Sequence, residues 1–204
     1  MSFDGVGMSQ YTGGKEECFD KIISMHINIV NSIAKKSYAD SRYHYIDLNA
    51  GPGEYDCDGS LIEGSPIKFL KAVCNKMPFK ASLIEKDADV LQELRDSIRQ
   101  YIDQHSDSID IYHGDNENIF SSLYKDFSGK QLFGLIYSDP NNGIPPLNIF
   151  SQVCSNPIYK SMDLLTYIQA GFIKRAWFII KVTFFLSRIS LIGRITRIFW
   201  NFYS

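Results

Sequence analysis

Asp47-Leu48-Asn49-Ala50-Gly51-Pro52-Gly53 ends a short apolar run that begins at Tyr43. Two glycines around a proline let the backbone turn sharply and approach a ligand, because no Cβ stands in the way. Three further groups end apolar runs in the same manner: Glu85 in KASLIEKD, Asp115 in YHGDNEN, and Asp139-Pro140 in LFGLIYSDP. A carboxylate at Glu85 can accept both hydroxyl protons of a ribose, and one at Asp115 can accept from an amino group such as that of adenine. Singly, each is an ordinary turn or a solvated cap. Together, one per successive run, they make a set suited to a nucleoside.

These groups need elements to position them. KEECFDKIISMHINIVNSIAKK spaces Phe19, Ile22, Ile23, Ile27 and Val30 as a helix does. YHYIDL reads as a strand. GSPIKFLKAVCNKM opens a helix, with Ser65 expected to cap it and Pro66 suited to the first helical position. After the strand KASLIEKD, the stretch DADVLQELRDSIRQYIDQH forms one amphipathic helix with Val90, Leu91, Leu94, Ile98 and Ile102 on one side. SIDIYHGD, LFGLIYSDP and MDLLTYIQA read as further strands, with NIFSSLYKDF and PPLNIFSQVCS as helical segments between them. Strands alternating with helices predict an α/β fold: a doubly wound, Rossmann-like, mostly parallel sheet with helices on both faces. In such sheets ligands bind beyond the carboxyl ends of the strands, where the strand order reverses. The four groups would then line one crevice.

A dinucleotide site needs a third glycine for close helix packing and a helix N-terminus facing the pyrophosphate. Here the position three beyond Gly53 is Asp56, and the stretch EYDCDGSLIEG delays the helix as an acidic loop. Glu54, Asp56, Asp58 and Glu63 would repel a diphosphate and tolerate a ligand carrying a sulfonium and an ammonium. Electrostatics favour S-adenosyl-L-methionine over a nicotinamide dinucleotide.

The turn at Asp47 to Gly53, with the spaced Glu85, Asp115 and Asp139-Pro140, resembles the class I S-adenosylmethionine-dependent methyltransferases. More narrowly, YIDLNAGPGEY, EGSPIKFL and LIYSDPNNGIPP resemble the three-Cys-motif partner protein family, a bacterial and phage group in that superfamily. The resemblance covers roughly Tyr43 to Ala170. It implies that Asp47, Asn49, Gly51, Gly53, Glu85 and Asp115 bind the cofactor, with Glu85 on the ribose and Asp115 on the adenine edge. It places Asp139 and Pro140 against the methyl acceptor as the catalytic pair, and it implies a neighbouring protein partner. One domain of 1–204 follows: a helical lead-in over 1–42, a cofactor-binding core over 43–170, and a basic aromatic end over 171–204. TGGK at Thr12–Lys15 resembles the segment before the first strand in adenine-amino DNA methyltransferases. In enzymes that methylate exocyclic amino groups, an aromatic residue after the prolines stacks on the extruded base. This chain has Asn141 and Asn142 after Pro140, so the acceptor-holding carboxylate is present and the stacking ring is missing.

The rest of the chain adds bounds. Its 204 residues, 45% hydrophobic and 22% charged, describe one globular domain. The opening MSFDGVGMSQYTGG lacks a basic and an apolar region of the secretory kind, and four scattered cysteines form no paired motif. A cytoplasmic protein with free thiols and no metal site is expected. His26, His44, His105 and His113 read as surface or ordinary polar residues, His113 alone as a candidate for the pocket rim. All 23 acidic residues lie at or before Asp163, so Met1–Asp163 carries −8 and the remainder +6. That basic, aromatic tail is too interrupted by charge for a transmembrane helix. Three readings of it stay open: the last strands and helix of the sheet, a surface for nucleic acid or an anionic membrane, or a foreign ending produced by a frameshift. Three functions are in contention. They are a methyltransferase acting on an amino group of a nucleic-acid base or related acceptor, a non-catalytic binding module that works with another protein, and, disfavoured by the glycine pattern, a nicotinamide-dependent oxidoreductase.

Overall fold

The computed structural model describes residues 12–34, 42–57, 59–123, 125, 127, 131–140 and 145–168. The chain divides into two compact units, Met1–Tyr167 and Ile168–Ser204. The basic tail, Asp58, Asn141 and Asn142 lie outside the described residues.

Five strands form one sheet: β1 (Tyr43–Asp47), β4 (Phe79–Glu85), β5 (Ile109–His113), β6 (Phe133–Ser138) and β7 (Ser161–Thr166). Their order is β5-β4-β1-β6-β7 and every pair is parallel. The chain steps outward from β1 through β4 to β5, then returns to build β6 and β7 on the other side. This is the doubly wound Rossmann-like arrangement, and its order reverses at β1 and β6. β1 is buried along its whole length, because helices cover both faces.

Alternation along the strands feeds two cores. Tyr43, Tyr45, Leu83 and Leu135 face one core with Phe19, Ile23, Ile27 and Val30 of α1 (Thr12–Ala34), Phe69 of α2 (Ser65–Val73) and Leu94 of α3 (Ala88–Ser97). Ile46, Ile84 and Ile136 face the other with Phe120 of α5 (Asn116–Leu123) and Ile149 of α6 (Leu147–Ser155). The Phe69 ring stacks on Tyr45 at 4.1 Å between centroids and is fully buried. Phe69→Ala is therefore expected to cost about 3–5 kcal/mol in urea unfolding. Leu61→Ala, at a side chain 67% exposed, should stay within about 0.5 kcal/mol.

α1 runs antiparallel to the strands. Its Phe19 packs on Tyr137 near the end of β6, with centroids 4.7 Å apart. Two turns later His26 reaches the start of β1, where the Tyr43 hydroxyl donates to Nδ1 at 2.6 Å and Nε2–H donates to Asp163 at 2.8 Å. Seven residues of helix precede Phe19, roughly 10 Å at 1.5 Å per residue.

Three local expectations are corrected. The acidic stretch after Gly53 is a hairpin, β2 (Glu54–Cys57) against β3 (Ser60–Glu63), antiparallel with Tyr55 opposite Ile62. The single helix over 87–105 breaks at Ile98 (φ −102°, ψ 10°) into α3 and α4 (Arg99–Gln104). The break falls where Ser97 Oγ donates to the carbonyls of Pro52 and Leu94, at 2.8 and 3.0 Å. α2 takes Gly64 as its cap, which moves Pro66 to the second helical position. Ser65 caps nothing, because its hydroxyl is turned to Asp47.

Candidate functional site

Beyond Asp47 the chain threads between the two neighbouring strands. Leu48 N–H donates to Tyr137 O at 2.9 Å and Ala50 N–H to Ile84 O at 3.0 Å. The turn then needs left-handed backbone at Gly51 (φ +65°) and Gly53 (φ +81°). Their surroundings differ. A Cβ on Gly53 would stand 2.2 Å from Ser97 Oγ, whereas one on Gly51 would meet no atom within 4 Å. The turn is thus clamped against α3 on one side and open on the other. Gly64 N–H holds Gly53 O at 2.6 Å and brings the base of the hairpin back to the turn.

Asp47 is completely buried. Its Oδ2 accepts from the Tyr45 hydroxyl (2.8 Å) and from Ser65 Oγ (2.7 Å), and Oδ1 accepts from Asn49 N–H (3.1 Å). Burial pushes its pKa up from 3.8 to about 6; the three hydrogen bonds oppose that rise, and the neighbouring Asp139 adds to it. Among the described residues, no cation contributes to this balance.

The other predicted groups gather round the same turn. Glu85 Oε2 accepts from Gly51 N–H at 3.0 Å, while Oε1 accepts from the N–H groups of Lys86 (2.7 Å) and Asp87 (2.9 Å). Three of its roughly four acceptor positions are therefore used by backbone, and a ribose would have to share or displace one. Asp115 caps α5, with Oδ1 accepting from Glu117 N–H (3.1 Å) and Asn118 N–H (3.4 Å). Its Oδ2 is ion-paired with Lys86 Nζ at 3.8 Å and, among the described residues, accepts no hydrogen bond. His113 donates to Lys86 O at 3.1 Å on this rim. Asp139 is half-buried and Pro140 buried, directly after β6 and beside β1. All eight predicted residues thus lie at the carboxyl ends of four adjacent strands.

Four residues that hold the site together were not foreseen. Ser65 holds Asp47, and Ser97 holds Pro52. Asn116 Nδ2 donates to Leu48 O at 3.2 Å, and Ser138 Oγ donates to Asn49 Oδ1 at 3.2 Å. The hairpin acids are partly neutralised, since Glu63 pairs with Lys71 and Asp56 accepts from Gly59 N–H at 2.8 Å. No described helix is long and apolar enough to cross a membrane.

No protein-family model and no curated protein matches the chain. Solved structures do. One is a conserved hypothetical protein of Streptococcus pyogenes, 16% identical over 54% of this chain and 56% of that one, with a TM-score of 0.33. A methyltransferase from Geobacter sulfurreducens is 11% identical over 79% of this chain and 62% of that one, TM-score 0.44. The METTL16 methyltransferase domain is 14% identical over the same shares, TM-score 0.45. The chain spans less than two thirds of the length of each.

Proposed function

We propose that the chain is a class I S-adenosylmethionine-dependent methyltransferase, most like the three-Cys-motif partner proteins, acting on an amino group of a nucleic-acid base or related acceptor. One observation carries this reading: four adjacent strand ends bring Asp47, Glu85, Asp115 and Asp139 round one open glycine turn. The residues fit the donor. Asp47 and Asp139 supply negative charge for a sulfonium and an ammonium, Gly51 leaves room for close approach, and Asp115 keeps an oxygen for the adenine amino group. When bound, the donor supplies a methyl whose C–S electrons return to sulfur as the N–C bond forms. Asp139 would accept a hydrogen bond from the attacking amino group, and the proton that nitrogen sheds after transfer would pass to solvent water. The task left to the protein is alignment.

Calorimetry tests the donor. S-adenosylmethionine is expected to bind, NAD to give no heat, and Asp47→Ala to abolish the signal. Tritiated donor with DNA, RNA or cell extract then tests catalysis, with label lost on Asp139→Ala. A second reading, a binding module that works beside another protein, is favoured by Asn141 and Asn142 standing where a stacking aromatic would be. Donor binding with no transfer to any acceptor would select it.

A further inference from the structure

We propose that Lys71 positions the glycine turn without touching the ligand: it neutralises Glu54 and Glu63, which face each other across the base of the hairpin, and so keeps Gly53 joined to Gly64. This rests on the reading of that turn as the seat of a methyl donor.

Glu54 opens the hairpin and Glu63 closes it, and the two stand opposite each other in its register. Opposed side chains on antiparallel strands share a face, and like charges there push the strands apart. The hairpin has little with which to resist. It forms a sheet of its own, none of its strand residues is buried, and a lone two-stranded hairpin is marginal in water.

Lys71 of α2 supplies the missing charge. Its ammonium is ion-paired with Glu63. That hydrogen bond is the main cause holding the Lys71 pKa above its ordinary value, and the charges of Glu63, Tyr101 and Glu54 add to it. One cation therefore serves both carboxylates.

The acidic pair borders the turn. Glu54 follows Gly53 and Glu63 precedes Gly64, and Gly64 N–H donates to Gly53 O at 2.6 Å. Gly53 also abuts Ser97, which holds Pro52 O. Strands that part at Glu54 and Glu63 would draw Gly53 O away from Gly64 and tilt the backbone on which the ligand rests. The path from Lys71 to the turn runs through charge at the hairpin base.

The test is a double-mutant cycle of wild type, Lys71→Met, Glu54→Gln and the double variant. Each is read by calorimetry with S-adenosylmethionine and by hydrogen exchange at Gly64 N–H. At low salt Lys71→Met should weaken the donor about 3- to 10-fold, as losing an ion pair and exposing a like-charge pair implies. Gly64 exchange should quicken by a similar factor. In the Glu54→Gln background the same substitution should cost less than about twofold, because no opposed charge remains. At 1 M salt, where the Debye length is about 3 Å, the ratio of Lys71→Met to wild-type affinity should move toward one. Equal costs in the two backgrounds would overturn the proposal, since Lys71 would then act on the ligand directly or through packing. Wild-type affinity in Lys71→Met overturns it too, as does faster Gly64 exchange with unchanged donor binding. A wild type that binds no donor overturns the methyl-donor reading itself, and the positioning role falls with it.

Discussion

Gly53→Val is expected to destabilise the protein by about 3 kcal/mol or more and to remove measurable S-adenosylmethionine binding. Two costs add. A β-branched residue at φ +81° is a strained outlier, at about 1–3 kcal/mol. Its Cβ would also stand 2.2 Å from Ser97 Oγ and 3.3 Å from Leu94 Cδ1, and forcing a packed site apart costs about another 1–3 kcal/mol. Ser97 is the residue that holds the Pro52 carbonyl, so the clash falls on the contact that shapes the turn. Gly51→Ala is the informative comparison. Nothing lies within 4 Å of its new Cβ and only the φ of +65° is unfavourable, so about 1 kcal/mol of stability is lost. If a ligand fills the open space, that methyl should weaken binding far more than it weakens the fold. Urea unfolding and calorimetry on the same two variants measure both quantities. Wild-type affinity in Gly53→Val would show that the turn does not position the donor.

The contrast between the two glycines also shows what a sequence carries and what it hides. Short apolar runs such as YHYID and FGLIYS are legible because burial on both faces demands them, and their alternation with helices gives the sheet. Once the sheet is parallel, its carboxyl edge becomes the candidate site, so the placement of Asp47, Glu85, Asp115 and Asp139 along that edge could be read from position alone. The hairpin was hidden by its acids, since Glu54, Asp56 and Glu63 leave little apolar alternation. Yet Asp58-Gly59 between two short runs is a recognised hairpin turn signal that could have revealed it. The break at Ile98 had no local signal, because the helical spacing continues through it and the contact beside it, Ser97 to Pro52, spans 45 residues. Ser65, Ser97, Asn116 and Ser138 are harder still. Their partners lie 18, 45, 68 and 89 residues away, so nothing near them in the chain distinguishes them from ordinary polar residues. The roles of Glu85 and Asp115 were hidden for the same reason, since the backbone groups that occupy them appear only when the turns are folded.

Asp47→Asn should move stability and binding in opposite directions. The carboxyl titrates near 6 in the folded protein against 3.8 as the unperturbed value, because burial disfavours its charge. Below 3.8 it is protonated in both states, and above 6 it is ionised in both. Between those limits the folded chain keeps a proton that the unfolded chain has released. Stability contributed by this group therefore falls as pH rises through the window, by about 3 kcal/mol in all. An asparagine carries no such penalty. Its Oδ1 can take the Asn49 N–H, and its N–H₂ can donate to Tyr45 and Ser65, whose hydroxyls rotate to accept. Urea unfolding of wild type and variant at pH 4, 5, 6 and 7 should give curves that nearly meet at pH 4 and separate toward pH 7, with Asp47→Asn the more stable. If the chain binds the proposed donor, its affinity at pH 7 should instead drop by roughly tenfold or more, because the charge that strains the free protein would be the one that attracts the sulfonium. A purely structural aspartate would lower both quantities together. Only a carboxylate retained against its own burial cost for the sake of a cationic ligand separates them.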